Sequence, residues 1–510
     1  MNRRIAASSI LVVTALALAA CAAGPDYRAP SVALDPVYLN AGTSSADTAA
    51  PSADIAHFWR GFADPVLSRL VERALAANGD VRIAQARLRE SRALLSGARA
   101  ELLPEVGATA GATRSLAPEV QLPGASRSQR TATVYDAAFT ANWELDFFGR
   151  NRRASESAGA QVDASAAGVA AVGTSVVAEV ARNYLELRGL QQRKQVADES
   201  IANQRDSLRL TEARLEYGRG TRLDVARARS QLGSTEATLP ALQAAIDRGA
   251  YRLATLTAQE PRAVLEQLGT GPELLPSLPV TDLGALPIGT PAQLLRRRPD
   301  LVQAERQLAA ATANIGVATA DLFPRVSLTG LIGLAGVHLG SLGSSGSQQY
   351  AVGAGLTWPL LDFGRVRSRI GASEARAEQA LASYEQSVAV ALEETEGALT
   401  QFTRNAQQSE RLAAAAGDAE DAARLAALRF NAGSVDFLVV LDAQRQALAT
   451  RDALVQAQAG QATALVAVYR ALGGGWPQEH AAIARAASEF ASDSRSSQPT
   501  DPTPLDTTRR

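Results

Sequence analysis

The chain contains one unit that is written twice, and this duplication limits the possible folds more than any other feature of the sequence. Three pairs of segments share both their residues and their order along the chain: 80–106 with 300–326, 143–150 with 358–365, and 215–220 with 428–433. The offset between the members of a pair changes slowly, from 220 to 215 to 213 positions. Chance similarity in an alanine-rich sequence explains one such match, but not three in the same order. The sequence therefore predicts two structural repeats that differ by small insertions or deletions in loops.

Each repeat has the same predicted order of elements. A helix of about two dozen residues, such as 80–101, ends before a proline, and two segments of alternating polarity follow it. A very long helical segment then runs to a glycine-containing turn, from which another long helix returns. We assign residues 64–259 to the first repeat and 292–474 to the second, joined by a proline-rich linker at 260–291.

The segments of alternating polarity predict β-strands. In 131–145, Tyr135, Phe139 and Trp143 lie on one face, whereas Asp136 and Thr140 lie on the other. The length suits a bilayer crossing, which takes a tilted strand of about 9–11 residues. The predicted strands are at about 104–114, 131–146, 324–336 and 349–361.

Tryptophan occupies equivalent ends of two of these strands. Trp143 and Trp358 lie where a girdle of aromatic residues is expected at a membrane interface. The strands alone are equally compatible with a soluble antiparallel sheet that buries one face.

The long helical segments favour the membrane interpretation of the strands. No proline occurs in 149–217, and Val162, Val169 and Val176 recur at a spacing of seven. Such spacing indicates packed, supercoiled helices, each of roughly 100 Å. A membrane-spanning helix at 164–178 is not expected, because charged residues bracket a stretch too short to cross a bilayer.

The N-terminus predicts the location of the protein. Residues 1–20 combine a positive start with an apolar stretch and read as a signal peptide. The segment Leu18-Ala19-Ala20-Cys21 resembles the bacterial lipobox, whose cysteine receives a diacylglycerol and becomes the new N-terminus. An ordinary secretory signal with a chance cysteine is the alternative, but Cys21 is the one cysteine of the chain. By resemblance to bacterial lipoproteins, Ala22 favours delivery to the outer membrane, so 21–63 is predicted to be a lipidated N-terminal segment.

Composition argues against several classes of function. Lys and Arg number 51 against 52 for Asp and Glu, so the chain lacks the basic balance typical of nucleic-acid binding. One cysteine and three distant histidines do not predict a metal site. No nucleophile motif or phosphate-binding loop is recognisable, so no enzyme activity is expected. The lipid on Cys21 is the only non-protein group predicted, and no cofactor is expected.

Four strands cannot cross a bilayer alone, because their open edges would leave backbone groups unpaired in hydrocarbon. Two copies would give a barrel of about 8 strands, which its own side chains fill. Three copies would give twelve strands and an aqueous lumen. If the strands face lipid, at least three protomers are expected.

Several motifs together resemble a known family: Cys21-Ala22-Ala23-Gly24-Pro25-Asp26-Tyr27, Phe58-Trp59, Asp64-Pro65-Val66-Leu67, Arg296-Arg297-Arg298-Pro299-Asp300, Leu322-Phe323-Pro324, and the two aromatic-Gly-Arg turns that end at Arg150 and Arg365. From Cys21 to about Gly475, the chain resembles the outer-membrane efflux proteins, the TolC-like family, and especially its lipoprotein branch of the NodT type. The resemblance implies a mixed α and β membrane protein. Its homotrimer would form a 12-stranded outer-membrane β-barrel, four strands per protomer, continuous with a long periplasmic α-helical barrel.

The resemblance also implies a periplasmic adaptor protein and an inner-membrane transporter of the resistance-nodulation-division class. The chain would then be a passive, gated exit duct for drugs or other small molecules.

The resemblance also implies roles for the two hairpin tips, 217–221 and 430–434. Gly218, Gly220, Asn431 and Gly433 become candidate contacts with the adaptor, in addition to the left-handed turns that glycine permits at helix ends.

In the same family, an aspartate lines the closed periplasmic aperture, and Asp442 holds the matching position. The family often has a second aspartate where this chain has Val439, and Asp436 could substitute for it. Asp224 matches a position that holds the entrance shut through polar links, and Arg222 could act similarly. Three copies of Asp442 around one axis would form a negative ring that attracts cations. For each of these residues, the alternative is an ordinary solvated charge near a helix end.

Two other functions remain open at this level. The same architecture serves type I protein secretion, although the lipobox favours efflux by analogy. A lipid-tethered periplasmic coiled-coil scaffold is the alternative from another class, but it would not need four amphipathic strands. Residues 475–510 are predicted to form a tail that ends in a disordered segment rich in Ser, Asp, Thr and Pro.

Overall fold

The computed structural model describes residues 22–40, 55–269, 274–281, 283–286 and 288–476. The predicted signal peptide, the lipid acceptor Cys21 and the tail beyond residue 476 lie outside the described residues. The chain divides into two compact units. The sheet unit lies within 22–32, 87–165 and 303–386, and the hairpin unit lies within 33–86, 166–302 and 387–476.

The helices follow the predicted order in both repeats. Those of the first repeat are α1 (Pro65–Ala77), α2 (Gly79–Ala100), α3 (Arg127–Arg130), α4 (Arg150–Glu216), α5 (Arg222–Glu236) and α6 (Leu239–Thr257). Between the repeats lies α7 (Pro261–Gly269), and the second repeat contains α8 (Pro291–Arg297), α9 (Pro299–Ala320), α10 (Arg365–Asn431) and α11 (Phe437–Ala471). Short 3-10 turns occur at Phe58–Phe62, Leu283–Ala285, Leu339–Ser341 and Ser345–Ser347.

The two longest helices are equivalent members of the two repeats. Both α4 and α10 contain 67 residues, which corresponds to about 100 Å at 1.5 Å per residue. Val169 and Val176 on α4 and Val388 on α10 are buried, as their heptad spacing predicts. By length and composition, α4 also contains an 18-residue window apolar enough to cross a membrane, but half of that window is buried inside the chain. That burial is typical of a packed core helix.

Each long helix begins at an aspartate cap. Asp146 accepts hydrogen bonds from the backbone N–H groups of Asn151 (3.1 Å) and Arg152 (2.8 Å). Asp362 accepts from those of Val366 (2.7 Å) and Gly364 (3.0 Å), and these two bonds lower the pKa of the Asp362 carboxyl. The caps satisfy backbone donors that have no partner inside a helix.

The return segment of the first repeat is interrupted, whereas one long helix was expected. α5 ends at Glu236 and α6 begins at Leu239, while its equivalent α11 is continuous over 35 residues. Pro240 explains the break, because proline lacks a backbone N–H and its ring clashes with the carbonyl group four residues earlier.

The linker between the repeats also contains regular structure that the sequence interpretation did not include. Pro261 begins α7, where a missing N–H breaks no helical hydrogen bond. Val264 and Leu268 are buried, and α7 packs against α6. The linker is therefore partly anchored on the first repeat.

The four strands form one antiparallel sheet in the order β1-β2-β3-β4. Their bounds are Glu105–Leu116, Thr131–Leu145, Arg325–Gly336 and Gln348–Thr357. β4 ends four residues before the predicted limit of 361, because Pro359 cannot donate to a ladder. Among the described residues, β1 and β4 each pair on one side only, so both edges of the sheet are open.

The strand register separates an apolar face from a small and polar face. Phe139 pairs with Ala108 and Ile332, and Ile332 pairs with Tyr350, so one row of the apolar face crosses all four strands. Phe139, Ile332 and Tyr350 are 63%, 65% and 84% exposed. A soluble sheet would bury this face, whereas the described chain leaves it uncovered. The membrane interpretation of the strands therefore fits better.

Candidate functional site

The opposite face of the sheet carries residues that suit a water-filled passage. Its rows, read across the strands, are Glu105, Asn142, Thr329 and Gly353; Gly107, Thr140, Leu331 and Ala351; and Thr109, Ala138, Gly333 and Gln349. Apart from Leu331, these side chains are small or polar, so they leave space or offer hydrogen bonds to water. Alternation of an apolar face with such a face is the pattern of a membrane β-barrel strand.

The two tryptophans predicted for the interfacial girdle make the same contact in both repeats. Nε1 of Trp143 donates to the carbonyl oxygen of Leu102, and Nε1 of Trp358 donates to that of Leu322, each at 3.0 Å. Both indole rings remain partly exposed. An apolar ring with a satisfied N–H suits a membrane interface.

The hairpin tips are also built alike. Gly218 and Gly433 adopt left-handed φ values of 69° and 74°. After the first, the N–H of Arg219 donates to the carbonyl of Arg214 (2.7 Å), and after the second, that of Ser434 donates to Arg429 (2.9 Å). These bonds reach back five residues and close a Schellman motif at the C-termini of α4 and α10.

This geometry corrects one equivalence drawn from the sequence. Gly220 was matched to Gly433 at an offset of 213, but Gly220 does not adopt a positive φ. The structural counterpart of Gly433 is Gly218, at the offset of 215 that also relates α4 to α10. Similar residue types around the tips favoured the wrong register, and only the backbone conformation distinguishes the two glycines.

The four candidate docking residues lie close together in the hairpin unit. Gly218, Asn431 and Gly433 are exposed, and Gly220 is half-buried. Both tips line a single open groove, to which Tyr217, Thr221 and Leu438 contribute. Since Tyr217 is 78% exposed, the groove presents an aromatic ring beside the glycine turns.

Asp224 forms a local cap rather than a link to another helix of the described chain. Its Oδ2 accepts from the hydroxyl of Thr221 (2.6 Å) and from the backbone N–H of Thr221 (3.3 Å). The Thr221 hydroxyl accepts in turn from the N–H of Asp224 (3.1 Å), which completes a capping box. Arg222, the first residue of α5, is exposed.

The other two predicted aperture residues are carboxylates at the start of α11. Asp436 occupies the N-cap position, but its side chain makes no capping hydrogen bond. Asp442 is exposed, while the adjacent Leu441 is buried in the helix packing. Val439, one turn before Asp442, is 47% exposed, so an apolar side chain accompanies Asp442 on the exposed surface of α11.

The residue that joins the two tips is Arg214, which the sequence interpretation missed. Its guanidinium lies over the ring of Phe430, 3.9 Å from the centroid, and Nη2 donates to the Phe430 carbonyl oxygen at 2.8 Å. A cation at the C-terminus of α10 is also favoured by the helix dipole. Arginine in the last turn of α4 is the only sequence signal, and such residues are too common to single one out.

An apolar cluster lies beneath this arginine. It comprises Ala228, Ala426, Phe430, Phe437, Val440 and Leu441. The Phe430 and Phe437 rings are 5.5 Å apart with an interplanar angle of 56°. The tips therefore rest on a shared core to which both hairpins contribute.

Polar contacts continue between α4 and α11 away from the tips. Arg193 forms a two-pronged ion pair with Asp452 (2.7 and 3.2 Å), and Gln444 donates to the Ser207 hydroxyl (3.0 Å). Arg451 contacts Glu199 at 2.7 Å. Because these side chains are partly exposed, each contact is weak by itself and separable when helices move.

Comparisons with known proteins agree with these features. The family model described as outer membrane efflux protein matches residues 70–259 and 290–474. The chain is 33% identical to the pyoverdine export outer membrane protein OpmQ of Pseudomonas aeruginosa, over 93% of this chain and 98% of OpmQ. It is 31% identical to nodulation protein T of Rhizobium leguminosarum bv. viciae, over 94% and 96% of the two chains.

A solved structure, that of the outer-membrane channel OprN, matches with a TM-score of 0.82 at 40% identity, over 89% of this chain and all of OprN. The family, the fold class and the outer-membrane location expected from the sequence are therefore confirmed. The family consists of transport channels rather than enzymes. The chain belongs to the outer membrane efflux protein family and is an outer-membrane channel subunit of an efflux system.

Proposed function

We propose that three copies of the chain close into one gated exit duct. The observation that carries this proposal is the four-stranded sheet with two open edges and an uncovered apolar face. In hydrocarbon, unpaired edge groups are strongly unfavourable, so other copies must supply the missing partners. Two copies would form a barrel of about 8 strands, whose interior its own side chains fill. Three copies leave an aqueous lumen lined by the small and polar face.

The assembly can be tested on the purified full chain. Native mass spectrometry in detergent should give the mass of three chains, and planar bilayers should show stepwise conductance. A dimer, or a trimer that never conducts even when the aperture residues are substituted, would contradict the proposal.

The cargo is proposed to be small organic molecules. The relative OpmQ is named for pyoverdine export, and a passive duct imposes its main selection by width and charge rather than by a binding site. Expression in a host that lacks its own efflux channel should lower ethidium accumulation. Unchanged accumulation, with the trimer present in the outer membrane, would count against this cargo class.

A periplasmic adaptor and an inner-membrane resistance-nodulation-division transporter are the proposed partners. The exposed groove at the tips, with Gly218, Gly220, Asn431 and Gly433, is the proposed adaptor contact. Asn431→Arg adds a bulky charge to the exposed tip without touching the apolar cluster. We expect ethidium efflux to fail while trimer mass and bilayer conductance persist. Efflux at the parental level would exclude a tight contact at Asn431.

The periplasmic aperture is proposed to be lined by Asp442, with Asp436, Asp224 and Arg222 near it. Asp442 is exposed on α11 close to the tips, which supports this role. Asp442→Asn should reduce the preference of the conductance for K⁺ over Cl⁻. The matched control is Asp418→Asn, an exposed aspartate on α10 further from the tip. Equal ion selectivity in the parent, Asp442→Asn and Asp418→Asn would contradict a position of Asp442 in the aperture.

A diacylglycerol on Cys21 is the proposed anchor. Its support comes from the described residues that follow it: the N–H of Ala23 donates to the carbonyl of Phe148 (3.0 Å), which lies three residues after β2. Arg153 holds Asp26 at 2.6 Å, and the Tyr27 hydroxyl donates to Glu305 at 2.7 Å. Residue 21 therefore adjoins a segment that is held at the end of a membrane strand. Cys21→Ser should abolish incorporation of labelled palmitate, and continued labelling would refute the assignment.

A further inference from the structure

The first turns of both long helices carry arginines where helix physics favours acids. Arg150, Arg152 and Arg153 lie at the start of α4, and Arg365, Arg367 and Arg369 lie at the start of α10. At the offset of 215, Arg150 and Arg152 correspond to Arg365 and Arg367. Neither first turn contains an acidic residue. The helix dipole places partial positive charge at this end, so arginine is disfavoured there. Arginines in place of the acidic residues preferred in a first helical turn indicate a functional role.

Not all of these charges are neutralised within the chain. Arg153 is buried and paired with Asp26 and Glu156, so it has a structural role. In contrast, the single carboxylate of Asp321 lies within 4 Å of three guanidinium groups, those of Arg150 (3.6 Å), Arg325 (2.5 Å) and Arg369 (3.1 Å). One carboxylate cannot balance three guanidinium groups, so positive charge remains in excess.

Arg367 adds to that excess, whereas the charge of Arg365 is partly offset by the nearby Asp362 carboxylate. Nε of Arg365 donates to the backbone carbonyl of Asp362 (3.1 Å), while the Asp362 carboxylate accepts the two backbone bonds of its cap. No hydrogen bond or ion pair of Arg367 is found within the described ranges. Arg365, Arg367 and Arg369 are all exposed. Arg367 is thus available to an anion from outside the chain, and the exposed guanidinium groups of Arg365 and Arg369 retain further N–H donors beside it.

The turn that precedes these arginines is exposed and apolar. Leu360, Leu361 and Phe363 are 71%, 83% and 90% exposed, and Phe363 adopts a φ of 52°. The left-handed conformation is strained by about 1–2 kcal/mol for a residue with a β-carbon. The aromatic ring of this strained residue lies away from the rest of the described chain. A strained residue whose ring is not packed is typical of a functional position.

The first repeat shows that exposure of this ring is not required by the fold. Phe148 precedes Gly149 as Phe363 precedes Gly364, but the Phe148 ring stacks on Phe323 with centroids 4.7 Å apart. The two repeats have therefore diverged at this position, and in the second one the aromatic ring is left for an external partner.

The position of the turn identifies the chemistry of that partner. The turn follows β4 directly, whose Val352 and Leu356 belong to the exposed apolar face, and Trp358 lies between them and the arginines. From the strand to α10, the surface thus changes from aliphatic to aromatic to cationic. Acyl chains, the interface and phosphate groups follow one another in the same order in a phospholipid leaflet.

We infer that the turn at 358–363 and the guanidinium groups of Arg365, Arg367 and Arg369 form a binding site for an anionic phospholipid of the periplasmic leaflet. Leu361 and Phe363 contact the lipid between its acyl chains and its phosphate, and the arginines contact the phosphate. The inference rests on the outer-membrane location of the chain and is independent of the proposed adaptor and aperture roles.

The test uses the full chain in nonionic detergent, titrated with phosphatidylglycerol or phosphatidylcholine and analysed by native mass spectrometry. The parental protein should retain phosphatidylglycerol in preference to phosphatidylcholine. In the triple variant Arg365→Gln, Arg367→Gln and Arg369→Gln, that preference should fall about fivefold for each arginine removed. The matched control is Arg404→Gln, Arg411→Gln and Arg424→Gln, three exposed positions of the same helix with the same change of charge. The control should behave like the parent.

Two further measurements separate the possible outcomes. Phe363→Gly removes the aromatic ring, so the variant should bind less lipid of either kind. Because glycine also relieves the strained φ, the thermal unfolding temperature of the variant should stay equal or rise. Inorganic phosphate in excess should not displace phosphatidylglycerol. An unchanged lipid preference in the triple variant would overturn the inference. So would full displacement by phosphate, which indicates a free-anion site, or loss of trimer mass in the variant, which indicates a contact between copies of this chain.

Discussion

The guanidinium of Arg214 covers the ring of Phe430 and binds its carbonyl oxygen, so one side chain of the first hairpin caps the end of the second. The contact combines a cation–π interaction, a charge-assisted hydrogen bond and a favourable helix dipole. Since the proposed aperture lies beside these tips, the Arg214–Phe430 contact is the natural point at which opening would begin.

Arg214→Met should therefore loosen the tips. The loss of a charge-assisted hydrogen bond corresponds to about 1.5–3 kcal/mol of local stability. We expect larger single-channel conductance and greater sensitivity of cells to bulky antibiotics. The matched control is Arg219→Met, an exposed tip arginine that lies beyond the end of α4. Equal conductance of the two variants would show that Arg214 does not restrain the tips.

Asp224→Ala should also raise conductance and passive permeability to large solutes. Two explanations are possible, because Asp224 both closes the capping box of α5 and occupies the proposed aperture position. Thr221→Ala removes the other half of the capping box, at a typical loss of about 1 kcal/mol, and retains the carboxylate. If only Asp224→Ala raises the conductance, the result supports an aperture role of Asp224. If Thr221→Ala raises it equally, the change results from fraying of α5.

Asp300 should make the stability of the hairpin unit depend on acidity. Burial acts to raise the pKa of its carboxyl, but the hydrogen bonds and charge of Arg298 outweigh burial and lower it below the ordinary value. A folded pKa below the unfolded one stabilises the protein at pH above the unfolded value of about 3.9, and this contribution disappears as pH falls through the folded pKa.

Asp300→Asn should consequently lower the thermal unfolding temperature at pH 6 and change it little at the most acidic pH at which the parent remains folded. Circular dichroism melts across pH 6 to 3 would measure this. Asp418→Asn, which replaces an exposed aspartate on α10, serves as the control. A deficit of Asp300→Asn that is equally large at every pH would contradict the ion-pair explanation.

Tyr184 should contribute to stability through a buried polar chain. Its hydroxyl donates to Asp64 Oδ2 (2.5 Å) and accepts from Nε of the fully buried Arg188 (3.0 Å). Burial and the bond to Asp64 raise the pKa of the Tyr184 hydroxyl, so it remains protonated and able to donate at all ordinary pH values. Tyr184→Phe would leave two buried partners without this bond, a loss of about 1–3 kcal/mol.

Thermal unfolding of the purified protein checks this value. Tyr251→Phe provides the comparison, because Tyr251 is 49% exposed on α6 and its substitution should be nearly neutral. Similar unfolding temperatures for the two variants would show that water replaces the Tyr184 hydroxyl without loss.

The sequence alone determined the repeats, the four strands, the two long helices and the glycine turns. These features depend on local periodicity and on the special backbone properties of glycine and proline, which can be read along the chain. Local patterns also explain the errors. The break at Pro240 and the helix that begins at Pro261 were not predicted, because the effect of a proline depends on its position within a helical turn. Gly220 was matched to Gly433 in place of Gly218, because only the φ value distinguishes the two glycines.

The tertiary structure alone decided which distant side chains meet. Arg214 and Phe430 are 216 positions apart, and nothing in the spacing of either helix indicates their contact. The same holds for Asp321 with Arg150 and Arg369, and for Phe148, which is stacked where Phe363 is exposed. Such pairings depend on how helices and turns pack in three dimensions, and packing is a property of the whole fold rather than of any segment.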